Sequence, residues 1–266
     1  MRFAILVDNN LENRLCACEH GLSVWLEVGD KCYLLDTGQS GKFADNAMTM
    51  GIDLRRADYV VLSHGHYDHS GGLASLRDMG IDVPVIMSPY TLRAKYSVSS
   101  VMTKYNGVPQ ADDVRRMSHL LVDGSMKLSD NVTVFSLPSD APANEHLMMA
   151  QGERLVPDTF ADELFVLVTE GSKCALFGGC THHGLSQVLE YVRSHFGIEH
   201  LDAFVGGLHL KGRSTEEIQR NIDVARRYDV SKWVVNHCTG NEAISMWSDV
   251  FGSEARDGYT GSSFEV

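Results

Sequence analysis

The feature that most constrains this chain is a recurring pattern of short apolar runs, each breaking off into a loop of Gly, His or Cys. Residues 59–63 lead into His64, and 175–177 into Gly178-Gly179-Cys180-Thr181-His182. Residues 203–205 lead into Gly206-Gly207-Leu208-His209, and 233–235 into Asn236-His237-Cys238. Apolar runs this short, bounded by glycine, read as buried strands. In layered α/β proteins, sites form where loops leave the carboxyl ends of such strands. A site built from these four loops would be rich in imidazole, as a metal centre requires.

The densest loop is His64-Gly65-His66-Tyr67-Asp68-His69. In extended backbone His64 and His66 project to the same side and can grip one ion together. Asp68 and His69 follow as the chain turns toward a helix, which suits a second ion nearby. Imidazole with carboxylate is a zinc-type donor set that iron and manganese also accept.

The rest of the chain supplies a frame for these loops. Strands are expected at 3–7, 23–28 and 31–35, the last two joined by a Gly29-Asp30 turn, then at 164–169 and 174–177 across Glu170-Gly171. A last strand is expected at 232–235. Helices are expected at 43–50, 72–79, 185–195 and 215–228, the third with Leu185, Val188, Leu189 and Val192 on one face. Between about 90 and 160 the periodicity weakens, and Pro109, Pro138, Pro142 and Pro157 intervene. That stretch reads as an excursion from a single domain spanning 1–266, and as a source of substrate-contacting loops. Lys95, Lys104, Arg115 and Arg116 within it read as solvated surface, with phosphate contact as the alternative. Asp162 and Glu163 read as a solvated turn before a strand, and His119, His146, His183, His195 and His200 as surface residues.

Bulk properties exclude some function classes. The net charge of −12 works against a broad nucleic-acid surface, which needs clustered Lys and Arg. The apolar start is too short for a secretory signal, and no run approaches a membrane span. The six cysteines show no disulfide framework, and Cys16-x-Cys18 lacks a second pair at zinc spacing. The expectation is a cytoplasmic protein with reduced thiols, no membrane or nucleic-acid partner, and an undetermined oligomeric state.

The run His64 to His69 has the form His-x-His-x-Asp-His and resembles the signature of the metallo-β-lactamase-fold superfamily. Glu19-His20-Gly21-Leu22-Ser23, Leu35-Asp36-Thr37-Gly38-Gln39-Ser40, Gly179-Cys180-Thr181-His182, Gly206-Gly207-Leu208-His209-Leu210 and His237-Cys238-Thr239-Gly240 accompany it in that order. Together they are similar to the branch of 7,8-dihydropterin-6-methyl-4-(β-D-ribofuranosyl)aminobenzene-5′-phosphate synthases. The resemblance implies an α/β (α+β) fold, a four-layer αββα sandwich with two divalent ions at one edge, zinc first and iron or manganese as alternatives. It implies His64 and His66 as ligands of the first ion, Asp68 and His69 of the second, and His237 as the final His ligand. Asp36 would orient histidines from behind. The superfamily's usual third His has no counterpart in Asp158-Thr159-Phe160-Ala161-Asp162-Glu163, so His182 is expected to replace it. Cys180 stands where some members place a thiolate ligand; the alternative is a small buried thiol beneath the site. Asp68 and His209 are the candidate catalytic groups, His209 as proton donor or oxyanion holder, and His20 a candidate pocket residue.

A metal pair activates water near neutral pH and clamps charged oxygens. The expected activity is hydrolysis or transfer on a small phosphorylated substrate, a phosphate or pyrophosphate ester. In the resembled branch, a pterin-bearing diphosphate would lose pyrophosphate to an arylamine. The alternatives are a di-iron redox enzyme of the same fold and a non-catalytic metal-binding sensor. The di-iron relatives carry Glu where this chain has His66.

Overall fold

The computed structural model describes residues 1–138, 140–141 and 146–266, so Pro142 lies outside the described residues. Two seven-stranded sheets face each other. The first runs Ser263–Glu265, Arg2–Val7, Ser23–Val28, Lys31–Leu35, Tyr59–Val61, Val85–Met87 and His119–Leu121 in spatial order. The second runs Ala255–Asp257, Trp233–Val235, Ala203–Gly206, Lys173–Phe177, Leu164–Glu170, Val132–Ser136 and Ser125–Lys127.

Period-2 alternation distributes each strand's side chains between two cores. From the first strand Phe3 and Ile5 pack between the sheets, with Val166, Phe177 and Val205 of the second sheet in the same core. Ala4 and Leu6 point outward, to a core shared with Phe43, Leu73, Leu76 and Val114 of helices Lys42–Thr49, Leu73–Asp78 and Ala111–Arg116. On the other outer face, Leu176 and Phe204 pack under helices Leu185–Phe196, Thr215–Ala225 and Asn241–Phe251. The layers are αββα, both faces of each main sheet being apolar and covered along its central strands. Among the described residues no helix is long and apolar enough to cross a membrane.

The halves repeat one local device. In each, an antiparallel hairpin is followed by a strand that joins it in parallel. An aspartate just before the parallel strand ties the two together. Asp58 accepts from Lys31 Nζ at 2.7 Å and the Cys32 N–H at 2.9 Å. Asp202 accepts from Lys173 Nζ and the Cys174 N–H, both at 2.8 Å. The parallel strands 31–35, 59–61, 173–177, 203–206 and 233–235 bring the carboxyl ends of both sheets to one edge.

The stretch from 90 to 160 is more regular than its sequence suggests. Arg154–Pro157, Leu147–Gln151, Lys95–Val98 and Thr103–Tyr105 form a four-stranded sheet. His119–Leu121, Ser125–Lys127 and Val132–Ser136 belong to the two main sheets, the last buried beside Leu164–Glu170.

Candidate metal centre

The loops leaving that edge converge as the sequence pattern requires. Strand Tyr59–Val61 delivers His64, which is fully buried, and His66 ends the extended segment as the first turn of Tyr67–Ser70 begins. His64 Nε2 lies 3.0 Å from His66 Nδ1, so the two rings do share one side. Gly65 between them is required: a Cβ there would sit 2.0 Å from the Thr91 carbonyl oxygen. The short turn then presents Asp68 and His69. Asp68 Oδ2 lies 3.1 Å from His20 Nε2 and 3.4 Å from His237 Nε2, and His69 Nε2 lies 3.1 Å from His237 Nε2. From the second sheet come Cys180, with Sγ 3.2 Å from His69 Nε2, and His182, whose ring centroid is 5.0 Å from that of His64. Every metal-ligating residue expected from the sequence is therefore in one cluster.

The backbone of these loops is strained. Asp36, Phe160, Thr181, His209 and His237 all have φ between 48° and 56°, a region non-glycine residues enter at a cost. Such conformations persist where surrounding bonds over-determine them, and those bonds are visible. Asp36 accepts from the Ser63 N–H at 2.7 Å, the Ser63 hydroxyl at 2.6 Å and His69 Nδ1 at 2.6 Å. The Ser63 oxygen is itself 2.9 Å from His64 Nδ1, so Asp36 orients His69 directly and His64 through a serine. At the far loop, the Asp8 carboxylate accepts the His237 N–H at 2.6 Å, and Asn9 Oδ1 lies 3.1 Å from His237 Nδ1. In all three histidines Nδ1 is engaged, which directs Nε2 inward.

Three assignments made from sequence are corrected. Asp162 and Glu163 are not a solvated turn but buried clamps. Asp162 accepts the Gly65 N–H at 2.7 Å, and Glu163 accepts the His182 and His183 N–H groups at 2.7 and 3.0 Å. His183, read as surface, is buried with Nδ1 2.7 Å from Glu163. Lys95 is likewise neither solvated surface nor a phosphate contact. Its ammonium is buried between Asp158 at 2.6 Å and Asp162 at 2.7 Å, below the Phe160 ring on which His182 stacks at 3.6 Å. Arg115 and Arg116 pair with Asp112 and Asp113 along their own exposed helix.

Asp8, Asn9, Ser63, Phe160 and Cys238 were not legible as site residues. For Asp8 and Asn9 a signal existed, since they follow directly on the first apolar strand and so occupy the same kind of loop.

The electrostatics suit a cation. Burial holds His64, His66 and His182 well below the usual imidazole range, aided by neighbouring positive groups, so they are neutral lone-pair donors. Nε2 of His66 and of His182 is buried without a hydrogen-bond partner, and so is Nδ1 of His209. Buried polar atoms are rarely left so, and a metal ion satisfies lone pairs that converge as those of His66 and His182 do. Asp68 is also buried, yet His69, His20 and His237 hold its carboxyl well below the usual range. At His69 burial opposes charge, but Asp36 and Asp68 outweigh it and raise the imidazole to about 9. Above the cluster opens a cleft of about 880 Å³. Its lining includes His20, Tyr67, Asn106, Leu147 and His209, with the exposed Lys104 and Lys211.

A family model described as metallo-beta-lactamase superfamily matches residues 17–196. An uncharacterized protein of Methanocaldococcus jannaschii is 28% identical over 254 residues, covering 92% of this chain and 93% of its own. The same organism's 7,8-dihydropterin-6-methyl-4-(beta-D-ribofuranosyl)-aminobenzene-5'-phosphate synthase is 24% identical over 255 residues, covering 88% and 85%. Among solved structures, Tm1679, described as a metal-dependent hydrolase of the beta-lactamase superfamily, superposes with a TM-score of 0.86 at 29% identity. That match covers 100% of this chain and 99% of the other.

Proposed function

Because the chain belongs to the metallo-beta-lactamase superfamily, we propose that it is a metal-dependent hydrolase or transferase of a small phosphorylated substrate. The observation that carries this reading is the joining of two donor groups at the floor of one cleft whose rim bears Lys104 and Lys211. His64, His66 and His182 would hold one ion, and Asp68, His69 and His237 a second, with zinc preferred by the imidazole-rich set and iron or manganese accepted. Such a pair supplies a water of lowered pKa and a clamp for phosphoryl oxygens.

The chain's own residues do the remaining work. Lys104 and Lys211 offer two ammonium groups to an anionic substrate end, which a cleft in a protein of charge −12 would otherwise repel. Lys104 Nζ stands 5.2 Å from the centre of the Tyr67 ring, which gives that wall a flat aromatic face. His209, beside His182 with ring centroids 4.4 Å apart, would hand a proton to a leaving oxygen. Its Nδ1 is buried and unpartnered at the cleft. Condensation of a dihydropterin diphosphate with an arylamine is the narrower form of the proposal, supported by the similarity to the M. jannaschii synthase.

Protein purified without chelator should carry about two divalent ions per chain and turn over phosphodiesters or pyrophosphate esters. Chelation should abolish turnover and zinc restore it. Lys104→Met and Lys211→Met should each raise KM about tenfold or more with kcat less affected, the mark of lost substrate binding. Turnover indifferent to chelation, or confined to lactones and thioesters, would overturn the reading.

A further inference from the structure

Cys238 was given no role by the sequence, yet its sulfur belongs to the cluster. The donor atoms fall into overlapping groups, each within 4.8 Å: His64, His66 and His182; His64, His69 and Cys180; Cys180, His182 and His209; Cys180, His237 and Cys238; His20, Asp68 and His237. Cys180 occurs in three of these five groups, and it links the all-imidazole end to the end occupied by His237. Both sulfurs are buried and both line the cleft.

The fold has made room for the second sulfur. A Cβ on Gly207 would lie 2.4 Å from Cys238 Sγ and 2.9 Å from the Gly179 carbonyl oxygen, so a side chain there would displace this thiol. The His209 N–H donates to the same sulfur at 3.3 Å, and the positive φ of His237 turns residues 237 and 238 into the site together. Tetrahedral bonds of about 2.0 to 2.3 Å set ligand atoms about 3.5 Å apart, so a group already within 4.8 Å needs only side-chain adjustment to close on one ion.

We propose that Cys238 is a metal ligand, acting with Cys180 and His237 so that one of the two ion positions is rich in sulfur. The proposal rests on the metal-enzyme reading above. Each thiol that binds forms a sulfur–metal bond and releases its proton to solvent, with no change of oxidation state. The two positions then differ in softness. The end formed by His64, His66 and His182 tolerates manganese or iron, whereas the second end, where Cys180 and Cys238 join His237 beside Asp68 and His69, selects zinc.

Cobalt(II) tests this without reference to activity. The full chain, stripped and reloaded with cobalt, should show four-coordinate visible bands together with a sulfur-to-cobalt charge-transfer band in the near ultraviolet. Cys238→Ser and Cys180→Ser should each lose part of the charge-transfer band, and the double variant all of it, while visible bands from the imidazole end persist. Cobalt bound without that band, or a band unchanged in Cys238→Ser, would overturn the proposal while leaving the metal reading intact. No cobalt uptake at all would overturn both. Because a variant can fail to fold, the wild-type chain supplies a second readout. Alkylation mapped by peptide mass should reach Cys180 and Cys238 in stripped protein and spare both when zinc is bound; equal labelling of Cys238 in the two states would count against it.

Discussion

Asp36 carries two histidines on one carboxylate, His69 by direct contact and His64 through the Ser63 hydroxyl. Asp36→Asn keeps the side-chain shape, and asparagine tolerates the positive φ at this position, so the change isolates the charge. It should weaken metal binding about 10- to 100-fold, measured by competition with a chromophoric chelator, with the fold retained by circular dichroism. Lys95 calls for the opposite expectation. Lys95→Met leaves Asp158 and Asp162 facing each other without their cation and should cost about 3 to 5 kcal/mol in denaturant unfolding. Lys104→Met, at an exposed cleft position, should stay within about 0.5 kcal/mol of wild type in the same measurement. The contrast between these lysines was invisible in the sequence because both lie in one irregular stretch. Only the burial of Asp158 and Asp162 around Lys95 separates an internal ion pair from a substrate contact.

Each half of the molecule relies on the same hairpin-to-strand tie. At Asp58 partial burial opposes ionisation, but Lys31 and the Cys32 N–H outweigh it and lower the carboxyl's pKa; Asp202 is lowered in the same way by Lys173 and the Cys174 N–H. Both carboxylates therefore contribute stability that is present above their unfolded value and lost as pH falls through the lower folded value. Asp58→Asn and Asp202→Asn should each cost about 1 kcal/mol near neutral pH, adding in the double variant because they share no partner. That difference from wild type should shrink in urea titrations taken below about pH 4. A gap that stays constant down to about pH 3 would show that the carboxylates' charge is not what ties the strands. The hairpins themselves could be read from sequence, since 23–28 and 31–35 are apolar runs meeting at Gly29-Asp30. Strands 103–105 and 119–121 could not. Their side chains are largely exposed, so no buried face imposes a period on them.

At the scale of the whole chain, the candidate metal donors come from both sheets. His64, His66, Asp68 and His69 leave the first, and Cys180, His182 and His237 the second. Bound ions would then act as a clasp between the halves, in addition to the apolar core that already joins them. Each ion present at about 100 times its dissociation constant contributes about 2.7 kcal/mol, so chelation should lower the thermal midpoint by about 5 to 10 °C for each ion removed. Calorimetry on stripped and reloaded protein checks this, and equal midpoints would place metal binding outside the folding equilibrium. The donors themselves were decided locally: a buried strand running into His64-Gly65-His66-Tyr67-Asp68-His69 specifies imidazole and carboxylate within a few residues, and period alone separates strand from helix around it. What orients those donors was decided at long range. Asp8 reaches His237, Asp162 reaches Gly65, and Cys238 comes to lie beside Cys180, through contacts between residues far apart in the chain. Such pairings have no periodicity to betray them, because a side chain's partner across two packed sheets depends on how the layers close and not on its neighbours in sequence.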